Sequence, residues 1–344
     1  MTTHPGLLPD FHSLETHHCV TGSMRHVFQY GGLDVSEAML LGLGAGAGFF
    51  YRHMKGATPM LLGLGNMHRP GAEGLEVDAA RRLGVQAQRF AGGSAKKAEE
   101  SLRREIEAGR PVMLQLDMGC LPYYEVSEGY HFGGHVVVVA GDADDHFWVA
   151  DRDADMHLVS QESLAAGRAS KHQPFPPGHT WYRFDVSRAR PPSDRDLEAA
   201  VAANAAAMLY GTISNVGLRG IRKAARLIPR WAKMLDEDEL RRCCIDNSVL
   251  VGPPGGAGGG MLRTLYAGFL EEAAAVTGSD ELMACAVTAA GLGSAWDEVG
   301  GVFRSVGEGE ADPTALGSLE GRLTVIADEE EVLWNTLREW AAVD

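Results

Sequence analysis

Residues 16–32 read Thr16-His17-His18-Cys19-Val20-Thr21-Gly22-Ser23-Met24-Arg25-His26-Val27-Phe28-Gln29-Tyr30-Gly31-Gly32. Val20, Met24, Val27 and Phe28 recur at helical spacing, and Tyr30-Gly31-Gly32 stops the run. The spacing predicts a largely buried helix that opens on Cys19. The partial positive charge at such a helix start favours thiolate over thiol. A nucleophilic cysteine needs a base, and the base needs a group to orient it. The competing reading of Cys19 is a buried structural cysteine.

Downstream the texture changes from helix to strand. Residues 111–117 (Pro-Val-Met-Leu-Gln-Leu-Asp) and 134–141 (Gly-His-Val-Val-Val-Val-Ala-Gly) read as strands. Asp142-Ala143-Asp144-Asp145 is a turn, and 146–151 returns as the partner strand of a hairpin. Residues 181–186 form a fourth strand. Helices followed by an antiparallel sheet make an α+β domain. His135 heads the buried strand after two glycines, at the sheet's edge, where it can face a cleft. Asp151 closes the returning strand, so the two fall near the open end of one hairpin. A carboxylate there can hold one imidazole nitrogen while the other faces a thiol. Taken alone, His135 also reads as a capping or core histidine, and Asp151 as a turn former. Chain order, spacing and local structure together favour a Cys19–His135–Asp151 triad.

This order of cysteine at a helix start, Gly-Gly-His strand and Asp-ending strand resembles the papain-like cysteine peptidase superfamily, nearest the double-glycine-leader peptidases. More specifically, His18-Cys19-x-Thr21 with Tyr30-Gly31-Gly32, Gly134-His135-Val136, and Met261-Leu262-Arg263-x-Leu265-Tyr266 after a glycine-rich stretch resemble the butirosin-biosynthesis H family. The resemblance spans nearly the whole chain. It implies a papain-like N-terminal domain, a helical C-terminal domain, and acyl transfer to an amine. The donor it implies is the phosphopantetheine thioester of an acyl carrier protein. Cys19 would be nucleophile, His135 base and Asp151 orienter, with no bound cofactor. The leader peptidases carry a glutamine several residues before the cysteine that helps hold the oxyanion. Here that region is His12-Ser13-Leu14-Glu15-Thr16-His17-His18. The Cys19 backbone N–H is then joined by a donor from His12, Ser13 or His17. His131, in Tyr130-His131-Phe132-Gly133, sits in a loop placed to line the substrate pocket.

At 344 residues the chain suits two domains, here 1–186 and 187–344 around a linker at 187–195. Earlier segments 36–41, 72–83 and 95–108 read as helices, and 59–65 as a short apolar run. The alternate glycines of 42–48 suggest close backbone packing next to the active site; a phosphate loop would need a Lys-Ser/Thr pair that is absent. Beyond the linker, 197–208, 219–235, 261–276, 280–290 and 293–304 read as helices. Residues 314–342 read as two helices hinged near Asp328. The glycine-rich run 252–260 is either a lid or a flexible linker.

The formal net charge of -15 argues against nucleic-acid and anionic-membrane partners. No run of about 18 apolar residues predicts a membrane span. Five cysteines, without zinc-ligand spacing, suit a reducing cytoplasm and no metal site. The start of the chain lacks a signal pattern. Cys243, Cys244 and Cys285 are expected to be packing residues. Arg219, Arg222, Lys223, Arg226, Arg230 and Lys233 fall on one helical face. That stripe either docks an acidic carrier protein or is a solvated face paired with neighbouring carboxylates. The sequence leaves homo-oligomer formation open. The main reading is thus a cysteine acyltransferase with a small-molecule amine acceptor. A hydrolase (amidase, peptidase or thioesterase) or intramolecular cyclase can use the same triad. A binding scaffold that has kept the fold is the third reading.

Overall fold

The computed structural model describes residues 4–54, 57–64, 73–125, 129–253 and 258–342. In chain order its elements are α1 (Cys19–Tyr30), α2 (Glu37–Leu43), β1 (Ala47–Arg52), β2 (Met60–Leu64), α3 (Leu75–Arg82), β3 (Gln86–Phe90), α4 (Ala95–Glu107) and β4 (Val112–Leu116). Then come β5 (His135–Ala143), β6 (His146–Ala150), β7 (Met156–Ser160), α5 (Gln161–Ala169) and β8 (Trp181–Asp185). The remainder is helical: α6 (Asp194–Leu209), α7 (Gly217–Leu227), α8 (Trp231–Met234), α9 (Glu237–Val251), α10 (Arg263–Thr277), α11 (Asp280–Glu308) and α12 (Leu319–Trp340). An α+β N-terminal region with an antiparallel sheet is therefore followed by a largely helical one. No helix among the described residues is long and apolar enough to cross a membrane.

By packing, the chain forms two units: residues 1–37 with 83–190, and residues 38–82 with 191–344. The linear boundary at 186–187 does not capture this, because 38–82 leave the first stretch and join the helices.

The first unit is built on a six-stranded antiparallel sheet in the order β3-β8-β4-β5-β6-β7. Residues 135–141 of β5 are all buried, as a near-continuous apolar strand requires when both of its faces are covered. Helix α1 packs on β5 and β4, and α4 packs on β4, β5 and α5. The Ser23 hydroxyl of α1 donates to the Val136 carbonyl at 3.2 Å. The sequence reading passed over β3, β7 and α5. Strands β3 and β7 are the two edges of the sheet. The polar run Gln86-Ala-Gln-Arg-Phe of β3 has no fully buried residue, so the alternation that marks a half-buried strand is missing.

In the second unit, β1 and β2 form a two-stranded antiparallel sheet on its own. Helix asparagines satisfy its backbone. Asn204 of α6 accepts the Ala47 N–H at 3.1 Å and donates to the Gly42 and Ala200 carbonyls. Asn247 of α9 repeats the device, accepting the Leu61 N–H at 2.8 Å and donating to the Pro59 and Cys243 carbonyls. Two strands alone are marginal, and these side chains replace the missing neighbours. The glycines expected to mark close packing do so here: a Cβ on Gly42 would sit 2.0 Å from the ring of Phe269.

Three helix boundaries differ from expectation. The stretch 219–235 is not one helix: α7 stops at Leu227, a 3-10 turn spans Ile228–Arg230 around Pro229, and α8 follows. Proline lacks the N–H that a continuing helix would need. By contrast α11 runs unbroken from Asp280 to Glu308. Gly293 does not end it, because the helix turns that position toward Thr264, whose Oγ1 would lie 2.6 Å from a Cβ there. Helix α12 is likewise continuous through Asp328, and its break falls earlier, at the 3-10 segment Pro313–Ser318. Asp328 is a surface residue paired with Arg222. Of the run 252–260, residues 254–257 lie outside the described residues.

Candidate active site

Cys19 is the first residue of α1, and His18 is its N-cap. The backbone leading into it is held by one buried carboxylate. Glu37 accepts the N–H of His17 at 2.9 Å, the N–H of His18 at 3.0 Å and the hydroxyl of Thr21 at 3.1 Å. Two of the amides ahead of Cys19 are thereby fixed by a residue eighteen positions after it. The entering chain also crosses α1 closely: a Cβ on Gly22 would lie 2.4 Å from Thr16 Oγ1. Only glycine leaves room there.

His135 begins β5 opposite Leu116 of β4. Its Nε2 donates to Asp151 Oδ2 at 2.7 Å, and both side chains are almost wholly buried. This pairing depends on an irregularity. Near the turn, β5 and β6 run in the register Ala143↔His146 to Gly141↔Trp148; beyond it they run Val139↔Val149 and Val138↔Ala150. The shift inserts one residue, Ala140, into β5. In the outer register Asp151 falls beside Val137, on the face that also carries His135. In the inner register it would fall beside Val138, on the opposite face, since a one-residue slip exchanges the faces. The bulge is stabilised by the N-terminal arm. The Leu8 N–H donates to the Ala140 carbonyl at 2.8 Å, and the Asp142 N–H donates to the Gly6 carbonyl at 2.9 Å. A Cβ on Gly141 would stand 2.5 Å from the Gly6 oxygen.

Cys19 and His135 interact electrostatically. Burial works against a charged imidazole here, but the Asp151 carboxylate and the Cys19 sulfur outweigh it and raise His135 to about 9. Asp151 is correspondingly held below the usual carboxylate range: burial opposes ionisation, and the imidazole and its hydrogen-bond donors prevail. Two of those donors were not legible in the sequence. The hydroxyls of Tyr123 and Tyr124 reach the same Oδ2 at 2.9 and 3.1 Å. Their hydroxyls are pushed up by burial and by the carboxylate they serve. His157 stacks on Tyr123 with ring centroids 3.8 Å apart.

His18, next to Cys19, is buried, and desolvation lowers it to about 4 despite Glu37. It is a neutral imidazole, 3.1 Å from the Thr21 hydroxyl. Burial raises Cys285 to about 11, Cys244 to about 12 and Cys243 further, while burial and the nearby Asp117 raise Cys120.

The structure places the remaining candidates as follows. His12 is exposed and lies 3.3 Å from the Asp10 carbonyl. The Ser13 hydroxyl donates to the Asp153 carbonyl at 2.7 Å. His17 lies 3.2 Å from Glu37. His131 is held by the buried Asp117 at 2.9 Å and stacks on His172. Four histidines, His17, His18, His131 and His135, thus have separate partners, and no group of three or more potential metal ligands exists among the described residues.

The basic stripe is divided among different settings. Arg222 forms ion pairs with Asp328 and Glu331 of α12 at 2.5 and 2.7 Å. Arg219 donates to the Gly211 carbonyl, and Lys223 to Asn215 at 2.6 Å. Arg226, Arg230 and Lys233 are exposed, but only Arg226 lies on α7.

Two known families match the chain. Residues 18–152, which hold all three of Cys19, His135 and Asp151, match the family described as butirosin biosynthesis protein H, N-terminal. Residues 162–337 match the family described as a domain of unknown function, DUF4872. No curated protein matches the chain. The chain therefore belongs to the DUF4872 family, with the N-terminal domain of butirosin biosynthesis protein H preceding that domain.

Proposed function

We propose that this protein is a cysteine-dependent acyltransferase that carries an acyl group from a thioester to an amine through acyl-Cys19. The observation that carries the reading is the buried His135–Asp151 pair beside a cysteine that opens a helix. The match to butirosin biosynthesis protein H supports it, since that protein's role is acyl transfer in butirosin biosynthesis. The first unit is read as a papain-like fold. Five unpaired cysteines fit a reducing cytoplasm.

The Cys19 thiolate attacks the thioester carbonyl, and the C–S bond to the donor breaks. The departing thiolate takes the proton from His135. The acceptor amine then attacks acyl-Cys19, gives its proton to the imidazole, and Cys19 leaves as thiolate. Asp151 holds the imidazole in one tautomer and stabilises its charged form. Thiol replaces thiol in the first step, so the demand on the site falls on the second, where water must be kept from the acyl-enzyme. The donor is taken to be the phosphopantetheine arm of an acyl carrier protein. The exposed Arg226, Arg230 and Lys233 are the part of the basic stripe left to steer such an acidic partner.

The test is intact-mass spectrometry after incubation with an acyl carrier protein thioester. The expected result is a single acyl adduct on the wild type, absent in Cys19→Ala and discharged as amide when an amine is added. Release as free acid despite added amine points to a hydrolase. No adduct with a panel of thioesters contradicts the proposal.

A further inference from the structure

Arg152 follows Asp151 directly and was assigned no role from sequence. Its backbone carbonyl accepts the Thr16 N–H at 2.7 Å, three residues before Cys19. The next carbonyl, of Asp153, accepts the Ser13 hydroxyl. These bonds join the chain entering α1 to the chain leaving β6. The Arg152 side chain turns back toward the site. Its Nη2 donates to the Tyr124 hydroxyl at 3.3 Å, and its guanidinium carbon lies 6.0 Å from the centre of that ring. Tyr124 in turn meets His135 edge-on, with centroids 5.6 Å apart. One continuous chain of contacts thus runs His135, Asp151, Tyr124, Arg152.

Two further observations narrow what the guanidinium does. It interacts electrostatically with Cys19 and with His18. Its Nε is buried and has no hydrogen-bond partner among the described residues. A buried cationic N–H without an acceptor is costly, and arginine cannot relieve that cost by losing its proton. An acceptor supplied during the reaction would remove it. Of the three residues expected to offer a second oxyanion donor, Ser13 gives its hydroxyl to the Asp153 carbonyl, and His12 and His17 each set Nδ1 against Asp10 and Glu37 respectively. The helix start offers the Cys19 N–H as the first.

We propose that Arg152 is the second donor to the oxyanion, stabilising the negative oxygen formed when Cys19 attacks a thioester carbonyl. The proposal rests on the acyl-transfer reading. No bond to Arg152 is made or broken: charge develops on the substrate oxygen, is met by the guanidinium, and disappears when the intermediate collapses. An anionic group on the acyl chain would instead meet the guanidinium before reaction, which predicts an effect on binding rather than on rate.

Two measurements on Arg152→Gln and Arg152→Lys test this. The first needs no substrate: the rate of Cys19 alkylation by anionic iodoacetate relative to neutral iodoacetamide. The ratio is expected to fall several-fold in Arg152→Gln and to hold in Arg152→Lys, with far-ultraviolet circular dichroism matching the wild type. The second is single-turnover acylation. The maximal rate is expected to fall about 10²–10³-fold in Arg152→Gln, the cost of losing one oxyanion donor, with half-saturation within about twofold of wild type. In Arg152→Lys a smaller loss, of at least about tenfold, is expected because the ammonium lacks the guanidinium fork. The lysine variant serves alone if the glutamine variant does not fold. An unchanged reagent ratio in Arg152→Gln, or a rise in half-saturation with the maximal rate intact, overturns the role of Arg152 while acyl-Cys19 still forms. Failure of the wild type to form acyl-Cys19 overturns the acyl-transfer reading and the oxyanion role with it.

Discussion

Each unit of this protein buries a carboxylate against a cation, and the two pairs are satisfied to different degrees. In the helical unit Glu330 meets Arg263 twice, at 3.0 and 2.7 Å, and each oxygen takes a second donor from an indole, Trp296 at 2.8 Å and Trp334 at 3.0 Å. Arg263 also donates to the Gly48 and Met261 carbonyls. Both residues are fully buried. In the sheet-bearing unit Asp151 crowds three donors onto Oδ2, while its Oδ1 is buried with no partner among the described residues. A network with every valence filled holds a core together. One with unmatched atoms beside a thiol stores polar capacity for something that comes and goes. The lesson is that burial and charge do not by themselves mark a site. Incomplete satisfaction next to a nucleophile does.

Breaking each carboxylate should separate the two roles. The larger effect is expected from Asp151→Ala. Acylation of Cys19 should slow about 10²–10⁴-fold, the range that a positioned acid–base group supplies, as read by quenched-flow mass spectrometry. A loss under about tenfold would mean that Asp151 does not orient the base. The smaller effect is that of Glu330→Gln, which leaves the Arg263 charge buried without a counter-ion. Unfolding of the helical unit should become easier by about 3–5 kcal/mol, measured by urea titration. A change within about 1 kcal/mol would show that the pair is not what holds that core.

How far the sequence foretold this can be judged residue by residue. Cys19, His135 and Asp151 were legible because each stands at the end of a strongly patterned segment, where period and boundary coincide. The pairing of His135 with Asp151 was only half legible. The hairpin was evident, but the inserted Ala140 that brings Asp151 onto the face of His135 leaves no mark in the alternation of Val136-Val137-Val138-Val139. Tyr123 and Tyr124 lie outside any periodic segment, so nothing announced that both reach Asp151. Glu37 looked like an ordinary first-turn acid of α2, yet it holds the backbone of His17 and His18. The transfer of 38–82 to the helical unit is a matter of tertiary contact. Asn204 and Asn247, which satisfy the β1–β2 backbone, are polar residues in helices and gave no local signal.

The account depends on a buried imidazole kept charged between sulfur and carboxylate, and its own titration is the most direct test. In the wild-type protein the His135 ring protons, followed by nuclear magnetic resonance, should keep their charged-form shifts through neutrality and change only near pH 9, as Asp151 and Cys19 outweigh burial. A midpoint at or below the ordinary value of about 6.5 would mean that burial prevails, and would contradict the coupled arrangement of Cys19, His135 and Asp151.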